Sequence, residues 1–346
     1  NFWNSVLRAE LKDTKPFIRT SEFLWQEGHT VHETEEQAKE QVETMLKLYK
    51  DFVNEYLALP ILTGKKSEKE KFVGAKYTLT LEGIMPDGKA LQMGTSHHLG
   101  QNFSKPFEIS FLGKDEKQHF AWQTSWGVSW RLIGALIMIH GDDKGLILPP
   151  KIAPIQIVII PIYYDEDQKR NVLKISREIV EKFEKNNIRS VIDSNEQYTP
   201  GWKFNHWEMK GIPIRIEIGP RDLDKNSITI VKRNTKEKKQ IKITDNLVYQ
   251  IIEELENIQV QLLNAAKKKQ VEMIQKVNNY TELCQKLKND KGFMKANWCE
   301  GAECEDKIKE ETGADIRLLI DKEKSNGECI SCSKKTTTEV YFAKSY

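Results

Sequence analysis

The chain has 346 residues, of which 39% are hydrophobic and 30% are charged, and its formal net charge is +2. This length and composition fit two or three domains with real cores and exclude a disordered or fibrous protein. Charges of both signs are interspersed, so composition alone does not indicate a nucleic-acid binder. The longest aliphatic run, Ile157 to Ile160, is too short to span a bilayer, and no leader opens the chain. We therefore expect a cytoplasmic protein that does not enter membranes.

The first elements in chain order predict a hairpin followed by a helix. Two extended stretches, Trp3 to Leu11 and Phe17 to Gln26, flank the polar turn Lys12 to Pro16. Thr34-x-x-Gln37 is typical of a capping box and predicts the start of an amphipathic helix that ends near Leu57. The predicted buried stripe of this helix contains Ala38, Val42, Met45, Tyr49, Phe52, Val53 and Tyr56.

A second hairpin and a second helix follow. The charged stretch Lys65 to Lys71 predicts a mobile link. Alternating apolar residues from Tyr77 to Leu81 then lead into the turn Pro86-Asp87-Gly88 and a return strand. The apolar residues from Leu132 to Ile139 predict a helix that packs on the resulting antiparallel sheet.

Two further segments follow the boundary at Pro149-Pro150. Residues 151–245 alternate strand and helix patterns, which favours a small α/β domain with a mostly buried sheet. Residues 246–346 begin with a helix from Asn246 to about Lys276 and end in a cysteine-rich module. The predicted inward stripe of that helix contains Leu247, Ile251, Leu255, Ile258 and Leu262.

Four cysteines near the C-terminus are spaced like metal ligands. Cys299-x4-Cys304 and Cys329-x2-Cys332 can place four thiolates around one ion, which is the closed tetrahedral shell of structural zinc. The alternative is unpaired or disulfide-bonded cysteines. A fifth, Cys284, stands alone and is predicted to be a buried, inert helix residue. Reduced cysteines suit the cytosol better than a secreted compartment.

The first hairpin carries side chains suited to a phosphate ligand. Arg8, Arg19 and Phe23 place cations and an aromatic ring on neighbouring strands, with Glu10 and Glu22 beside them. A guanidinium donates paired hydrogen bonds to phosphate, and an aromatic face can stack a purine. A solvated hairpin with cross-strand ion pairs explains the same residues, so both interpretations stay open at this point.

The order of several longer motifs is more specific. The chain resembles the prolyl-tRNA synthetases, which are class IIa aminoacyl-tRNA synthetases, and its cysteine module and terminal Tyr346 resemble the eukaryotic and archaeal type with a C-terminal zinc-binding extension. The motifs that carry this resemblance are Asn4–Glu10, Pro16–Thr30, Gly94–Phe103, Gln123–Gly127, Trp130–Gly134, His140–Leu146 and Pro200–Glu208. They are distributed over most of the chain.

The resemblance implies three domains and one activity. Residues 1–150 would form an α+β class II catalytic domain around an antiparallel sheet, 151–245 an α/β anticodon-binding domain, and 246–346 a small α/β zinc-binding domain. The implied enzyme is an aminoacyl-tRNA ligase that activates L-proline with ATP and Mg²⁺ and transfers it to tRNA(Pro). A homodimer is implied for the full-length protein, and Zn²⁺ is implied as a structural ion.

The resemblance also implies roles for individual residues. Arg8 and Arg131 would be catalytic, and Lys203 and Glu208 would contact the anticodon. Proposed ATP contacts are Arg8, Glu10, Arg19, Phe23, Gln92, Thr95 and Arg131. Proposed proline contacts are Arg8, Trp25, Glu27, His29, His97, Ser125 and Gly127. From the residues alone, His97 is more typical of a satisfied structural group than of a ligand contact, and Lys203 and Glu208 could equally be solvated surface charges.

Two further expectations concern the ends of the chain. The family carries motif 1 and a Thr-x-Glu loop upstream of motif 2, whereas this chain begins inside motif 2. We therefore expect the N-terminal part of the catalytic domain to be missing and this chain alone to form adenylate poorly. The missing motif 1 also favours an alternative, a non-catalytic synthetase-like protein that binds tRNA or a partner. At the other end, the tail at Tyr346 is expected to fold back towards the catalytic domain.

Overall fold

The computed structural model describes residues 1–10, 13–289, 292–320 and 326–346. The chain forms two compact units. The first contains Asn1–Glu55, Leu59–Ile139 and Lys267–Tyr346, and the second contains Tyr56–Ala58 and His140–Ala266. Within the described ranges, no helix is both long enough and apolar enough to cross a bilayer.

The first predicted hairpin is present. Strand β1 (Phe2–Leu7) pairs antiparallel with β2 (Glu22–His32), so that the two ends of the register join Phe2 to Glu27 and Leu7 to Glu22. The second strand begins later than predicted because Lys15 and Arg19 form an isolated bridge around a tight turn. Leu11, the predicted end of the first strand, and Lys12, the predicted start of the turn, lie outside the described residues.

Helix α1 (Glu35–Glu55) begins at the predicted capping box. The main-chain N–H of Gln37 donates to Thr34 Oγ1 at 3.3 Å, and the N–H of Thr34 donates to Gln37 Oε1 at 3.4 Å. Assigning Phe52 and Tyr56 to the core is wrong, because they are 39% and 46% exposed. Phe52 lies at the edge of the apolar stripe, and Tyr56 follows the last helical residue. Burial is confirmed at Ala38, Val42, Tyr49 and Val53, whereas Met45 is only half-buried.

The remaining elements of this part complete an antiparallel sheet. They are β3 (Leu62–Lys65), β4 (Tyr77–Ile84), β5 (Ala90–Gly100), β6 (Ser110–Leu112), β7 (Gln118–Phe120), β8 (Trp122–Ser129) and α2 (Arg131–His140). Strands β6 and β7 pair with each other in a separate two-stranded sheet. The spatial order β1-β2-β8-β5-β4-β3 confirms the predicted second hairpin, and Gly88 takes φ 82° in its turn. The predicted mobility of Lys65 to Lys71 is wrong near its start, since Lys66 and Ser67 are each only 2% exposed.

The second unit contains the predicted α/β domain. Its elements are β9 (Ile157–Pro161), α3 (Glu166–Lys185), β10 (Ser190–Ile192), α4 (Pro200–Met209), β11 (Ile214–Ile218), α5 (Pro220–Asp224), β12 (Ser227–Lys232), β13 (Lys238–Lys242) and most of α6 (Leu247–Glu272). The sheet has the order β10-β9-β11-β12-β13, with the first three strands parallel and the last three antiparallel. All five predicted stripe residues of α6 are buried in its core, which confirms that helix.

The C-terminal elements belong to the first unit. They are β14 (Ile274–Lys276), α7 (Tyr280–Asn289), β15 (Phe293–Asn297), α8 (Ala302–Thr312), β16 (Asp315–Leu319), β17 (Gly327–Glu328), β18 (Lys335–Thr336) and β19 (Glu339–Ala343). Strand β16 pairs with β3 through Leu319 and Lys65, so the order continues as β3-β16-β19-β15-β14. One ten-stranded sheet therefore runs through the first unit. The sequence boundaries at residues 150 and 245 stay a prediction.

Candidate functional site

A cavity of about 600 Å³ opens on the antiparallel sheet of the first unit. It is lined by residues of β2, β4, β5 and β8, by the start of α2, and by the segment between β1 and β2. Every residue to which the sequence assigned an ATP or proline contact lies in its wall. These are Arg8, Glu10, Arg19, Phe23, Trp25, Glu27, His29, Gln92, Thr95, His97, Ser125, Gly127 and Arg131.

Strand register explains why distant motifs meet there. Gly127 on β8 lies opposite both Glu27 on β2 and Thr95 on β5. Two residues earlier on β8, Ser125 lies opposite both His29 and His97. Because side chains two residues apart point to the same face of a sheet, these two rows present their side chains to one surface.

Arg131, the first residue of α2, is held by main-chain oxygens. Its Nε donates to the carbonyl of Ile18 at 2.9 Å, and its Nη1 donates to the carbonyl of Gln92 at 3.2 Å. Burial, followed by repulsion from Arg19, lowers the pKa of Arg131. A guanidinium has five N–H donors, so donors remain for an anionic ligand.

Two more arginines stand at the same cavity. Arg19 Nη1 donates to Glu10 Oε2 at 3.0 Å, and the Arg8 guanidinium lies 5.2 Å from the centroid of the Phe23 ring. Three guanidinium groups, of which Arg19 is paired with Glu10, make this end of the cavity suited to a polyanion such as a triphosphate.

The chain terminus is docked beside these arginines, as predicted. Arg19 Nη2 donates to the terminal main-chain oxygen of Tyr346 at 2.9 Å, and the N–H of Ala90 donates to the carbonyl of Lys344 at 2.8 Å. The ring of Tyr346 lies 5.1 Å from the Nζ atoms of both Lys15 and Lys89. Burial, with a contribution from Asp87, raises the pKa of the Tyr346 hydroxyl.

His97 is hydrogen-bonded through both ring nitrogens. Its Nδ1 lies 2.9 Å from Thr78 Oγ1, and its Nε2 lies 2.9 Å from Thr95 Oγ1. Burial, and secondarily the neighbouring His29, lower the pKa of His97 to about 4, so the ring is neutral at physiological pH. Sequence reasoning missed Thr78, although the hairpin register around Gly88 places it directly opposite His97.

Other cavity residues were also missed. Part of the wall comes from the segment between β3 and β4 and from the segment after β5; of these residues only Phe103 belongs to a motif, and no site role was assigned to it. The missed side chains there are Lys66, Glu70, Phe72, Phe103, Phe107 and Ile109. Only the folded chain brings them to the sheet face.

The four predicted zinc ligands come together within the first unit. The Sγ atoms of Cys299, Cys304, Cys329 and Cys332 all lie within 4.8 Å of one another, and two of the separations are 3.6 and 3.7 Å. A tetrahedral ion with bonds of about 2.3 Å to sulfur requires sulfur atoms about 3.8 Å apart, so the cluster fits zinc. Cys284 on α7 is half-buried and lies outside the cluster, so its predicted full burial is wrong.

We expect the purified protein to contain one zinc ion per chain. Replacing Cys304 by Ser should remove the ion and loosen the module, because the metal joins α8 to the β17–β18 hairpin. Zinc content by mass spectrometry and amide hydrogen exchange of residues 293–319 measure both effects. Cys284→Ser is the matched control and should keep full zinc occupancy. A metal-free native protein with unchanged protection in Cys304→Ser would contradict the assignment.

The structure does not bring the two predicted anticodon residues into one cavity. Lys203 is 4% exposed, and its Nζ donates to the carbonyl of Asp193 at 2.8 Å and lies 3.4 Å from Asp193 Oδ1. Glu208 instead lines a separate cavity of about 290 Å³. Basic residues dominate that wall, namely Lys144, Arg215, Lys232, Arg233, Lys236 and Lys238. A contact between Lys203 and an anticodon base stays a prediction.

Comparison with protein families assigns all three parts of the chain. Residues 3–140 match the class II tRNA synthetase core domain of the G, H, P, S and T type. Residues 156–254 match an anticodon-binding domain, and residues 280–346 match the prolyl-tRNA synthetase C-terminal domain. The order predicted from the sequence is therefore confirmed.

Individual relatives agree with the family models. A proline–tRNA ligase of Cenarchaeum symbiosum is 53% identical over 346 residues, which cover all of this chain and 72% of the relative. A proline–tRNA ligase of Natranaerobius thermophilus is 49% identical over 348 residues, covering all of this chain and 71% of the relative.

Solved structures give the same result. Prolyl-tRNA synthetase from Cryptosporidium parvum complexed with halofuginone and AMPPNP is 43% identical, with a TM-score of 0.94 over 99% of this chain and 72% of that one. The same enzyme complexed with L-proline and AMP has a TM-score of 0.93 at 43% identity, over 99% of this chain and 74% of that one. The chain therefore belongs to the prolyl-tRNA synthetase family.

Proposed function

We propose that this protein is a proline–tRNA ligase. It activates L-proline with ATP to prolyl-adenylate and transfers the prolyl group to tRNA(Pro). The observation that carries the proposal is the convergence of every ATP- and proline-assigned side chain on one cavity of about 600 Å³. The Cryptosporidium enzyme, which shares 43% of its residues with this chain, was solved with L-proline and AMP.

The cavity arginines supply the electrostatic part of the reaction. In adenylate formation the carboxylate of proline attacks the α-phosphorus of ATP, and pyrophosphate leaves. Arg8 and Arg131 neutralise the charge that develops on the α-phosphate, while Arg19 binds the leaving phosphates. Phe23 offers its ring to the adenine. Little covalent chemistry is left for the protein, so positioning and charge stabilisation supply most of the rate.

Magnesium accompanies ATP in this proposal. The ion neutralises phosphate charge and prefers carboxylate and water oxygens as its remaining ligands. Glu10 is the carboxylate that pairs with Arg19 in the cavity wall, and it would hold the ion.

The rows on β2, β5 and β8 would bind the amino acid. Trp25 and the ring of His97 supply flat walls, while Glu27 supplies a carboxylate for the ammonium group. Glu27 Oε1 lies 3.1 Å from His29 Nε2, which orients both side chains. Ser125 and Gly127 are small, so they leave space for the proline ring.

We also propose how the rest of the protein serves this reaction. The α/β domain binds the anticodon loop of tRNA(Pro), with Glu208 and the basic residues around it facing the RNA. The cysteine cluster holds a structural Zn²⁺. The enzyme acts in the cytoplasm as a homodimer.

ATP–pyrophosphate exchange by the natural protein with each of the twenty amino acids tests the proposal. Exchange with proline well above that with any other amino acid is the expected result, because apolar walls separate amino acids of similar size by about 10- to 200-fold. If no amino acid supports exchange and the protein still binds tRNA(Pro), the result would instead support a non-catalytic synthetase-like protein.

Removing Lys344 to Tyr346 should impair activation. The truncation takes away the main-chain oxygen that orients Arg19 and the strand-like contact with Ala90. Hydrogen bonds to charged groups contribute about 1.5–3 kcal/mol, so we expect KM for ATP in the exchange assay to rise by about 10- to 100-fold. Tyr346→Phe keeps the main-chain contact and the ring, and it should stay within about threefold of the native value. A truncated protein with native KM and kcat would refute this role.

A further inference from the structure

Resting on the proposed function, we infer that Thr78 is a positioning residue for the amino-acid site. It holds His97 as the tautomer with hydrogen on Nε2 and thereby leaves the hydroxyl hydrogen of Thr95 free to donate to the bound ligand. Thr78 lies on β4 directly opposite His97 on β5, and it was not among the predicted site residues.

The direction of the first hydrogen bond follows from the partners of Thr78. Thr78 is 2% exposed, and its Oγ1 accepts the main-chain N–H of Phe72 at 3.0 Å. A hydroxyl has one hydrogen to donate. Among the described residues, the acceptor within reach of that hydrogen is His97 Nδ1, at 2.9 Å. With a proton on Nδ1 instead, a buried hydroxyl hydrogen would have no acceptor, which is the more costly arrangement.

The second hydrogen bond follows from the first. If Nδ1 accepts, a neutral imidazole carries its hydrogen on Nε2, and that N–H donates to Thr95 Oγ1 at 2.9 Å. Burial lowers the pKa of His97 to about 4, which keeps the ring neutral in the working range. The Thr95 hydroxyl thus accepts from His97 and keeps its own hydrogen, and Thr95 lines the cavity.

A series of hydrogen bonds, each with a defined donor and acceptor, therefore leads from a main-chain amide to the ligand. It passes from the N–H of Phe72 through Thr78, His97 and Thr95, and it ends in a donor aimed at an oxygen acceptor, such as a phosphate, carboxylate or carbonyl oxygen. Both ring nitrogens of His97 are engaged in these hydrogen bonds. The ring therefore orients Thr95 and does not exchange protons with the substrate. Thr78, which lines the same cavity, acts on the ligand through His97 and Thr95 and decides the direction of the final hydrogen bond.

The first test reads the tautomer directly and needs no activity. Nitrogen NMR of ¹⁵N-histidine-labelled natural protein, with His97 assigned by its loss in His97→Asn, should show a protonated Nε2 and an unprotonated Nδ1. Thr78→Ser keeps the hydroxyl and should keep this pattern. Thr78→Val keeps the shape but not the donor, so a fraction of the ring should carry hydrogen on Nδ1. A native protein protonated at Nδ1 would overturn the inference, as would an unchanged tautomer in Thr78→Val.

The second test measures function with the same pair. Thr78→Val should raise KM for proline or ATP in pyrophosphate exchange by about tenfold, the size expected for one misoriented hydrogen bond, and Thr78→Ser should restore it to within about threefold. If Thr78→Val does not fold, the native and Thr78→Ser spectra still decide the tautomer. If the natural protein shows no exchange with any amino acid, the proposed function is contradicted but the inference about the tautomer is not. If Thr78→Val shows proline-specific exchange with the native KM, the inference is contradicted but the proposed function is not.

Discussion

Replacing Arg131 by Ala should lower proline-dependent ATP–pyrophosphate exchange by about 10²- to 10³-fold, the usual effect of losing one pre-oriented charge donor. Arg131 is fixed in place by the carbonyls of Ile18 and Gln92, so its remaining donors need no rearrangement when charge develops on the α-phosphate. The loss should fall mainly on kcat, because the interaction strengthens in the transition state.

Two control variants separate this effect from a general loss of charge. Arg131→Lys keeps the positive charge but not the planar fork, so it should recover only a small part of the rate. Arg177→Ala removes an exposed arginine from α3 and should leave exchange at the native level. Exchange by Arg131→Ala within about threefold of native would remove Arg131 from the catalytic groups.

Replacing Glu82 by Gln should destabilise the first unit by about 3–5 kcal/mol, because it leaves buried cations without their anion. Glu82 has no exposed surface, and it accepts from Lys66 Nζ at 2.7 Å and from Arg317 Nη2 at 3.0 Å. Burial by itself would raise the pKa of Glu82, but the two cations outweigh it and the pKa is lowered. The cluster joins the segment after β3 to β4 and β16.

The two cations of this cluster should not be equivalent. Burial lowers the pKa of Lys66 despite Glu82, whereas at Arg317 the attraction of Glu82 outweighs burial and raises the pKa. Lys66→Met leaves a balanced pair of Glu82 and Arg317, so it should cost less than Arg317→Met, which breaks the stronger pair. Hydrogen exchange of β4 and β16 amides measures the local free energies of opening. Equal costs for the two substitutions would contradict this ranking.

Local sequence patterns were sufficient to predict the main helices and strands and the assigned residues of the cavity. The capping box at Thr34 and the period of apolar residues placed α1 and α6, because helix formation depends on neighbours three and four residues away. The ordered motifs identified thirteen side chains that share one cavity. The four cysteines were identified by spacing, since two short loops can each bring a pair of thiolates to one ion.

Other features depended on partners far away in the chain. Lys65 to Lys71 has the composition of a mobile surface link, yet Lys66 is buried because the Glu82 carboxylate neutralises it and the main-chain oxygen of Arg317, 251 residues further on, accepts its hydrogen bond. Lys203 is likewise buried, because its Nζ donates to the carbonyl of Asp193 and lies 3.4 Å from the Asp193 carboxylate. No local sequence pattern predicts a buried ion pair, because the partners that stabilise it come together only in the folded protein.

The amino-acid sequence by itself therefore determined the family, the domain order, the main helices and strands, and the thirteen assigned residues of the candidate site, because each of these is recorded in local periodicity, spacing or motif order. Only the tertiary structure decided that β16 extends the first sheet through β3, that the chain terminus contacts Arg19, and that Thr78 orients His97. Strand pairing and hydrogen-bond direction depend on register between distant segments, and that register exists only once the chain has folded.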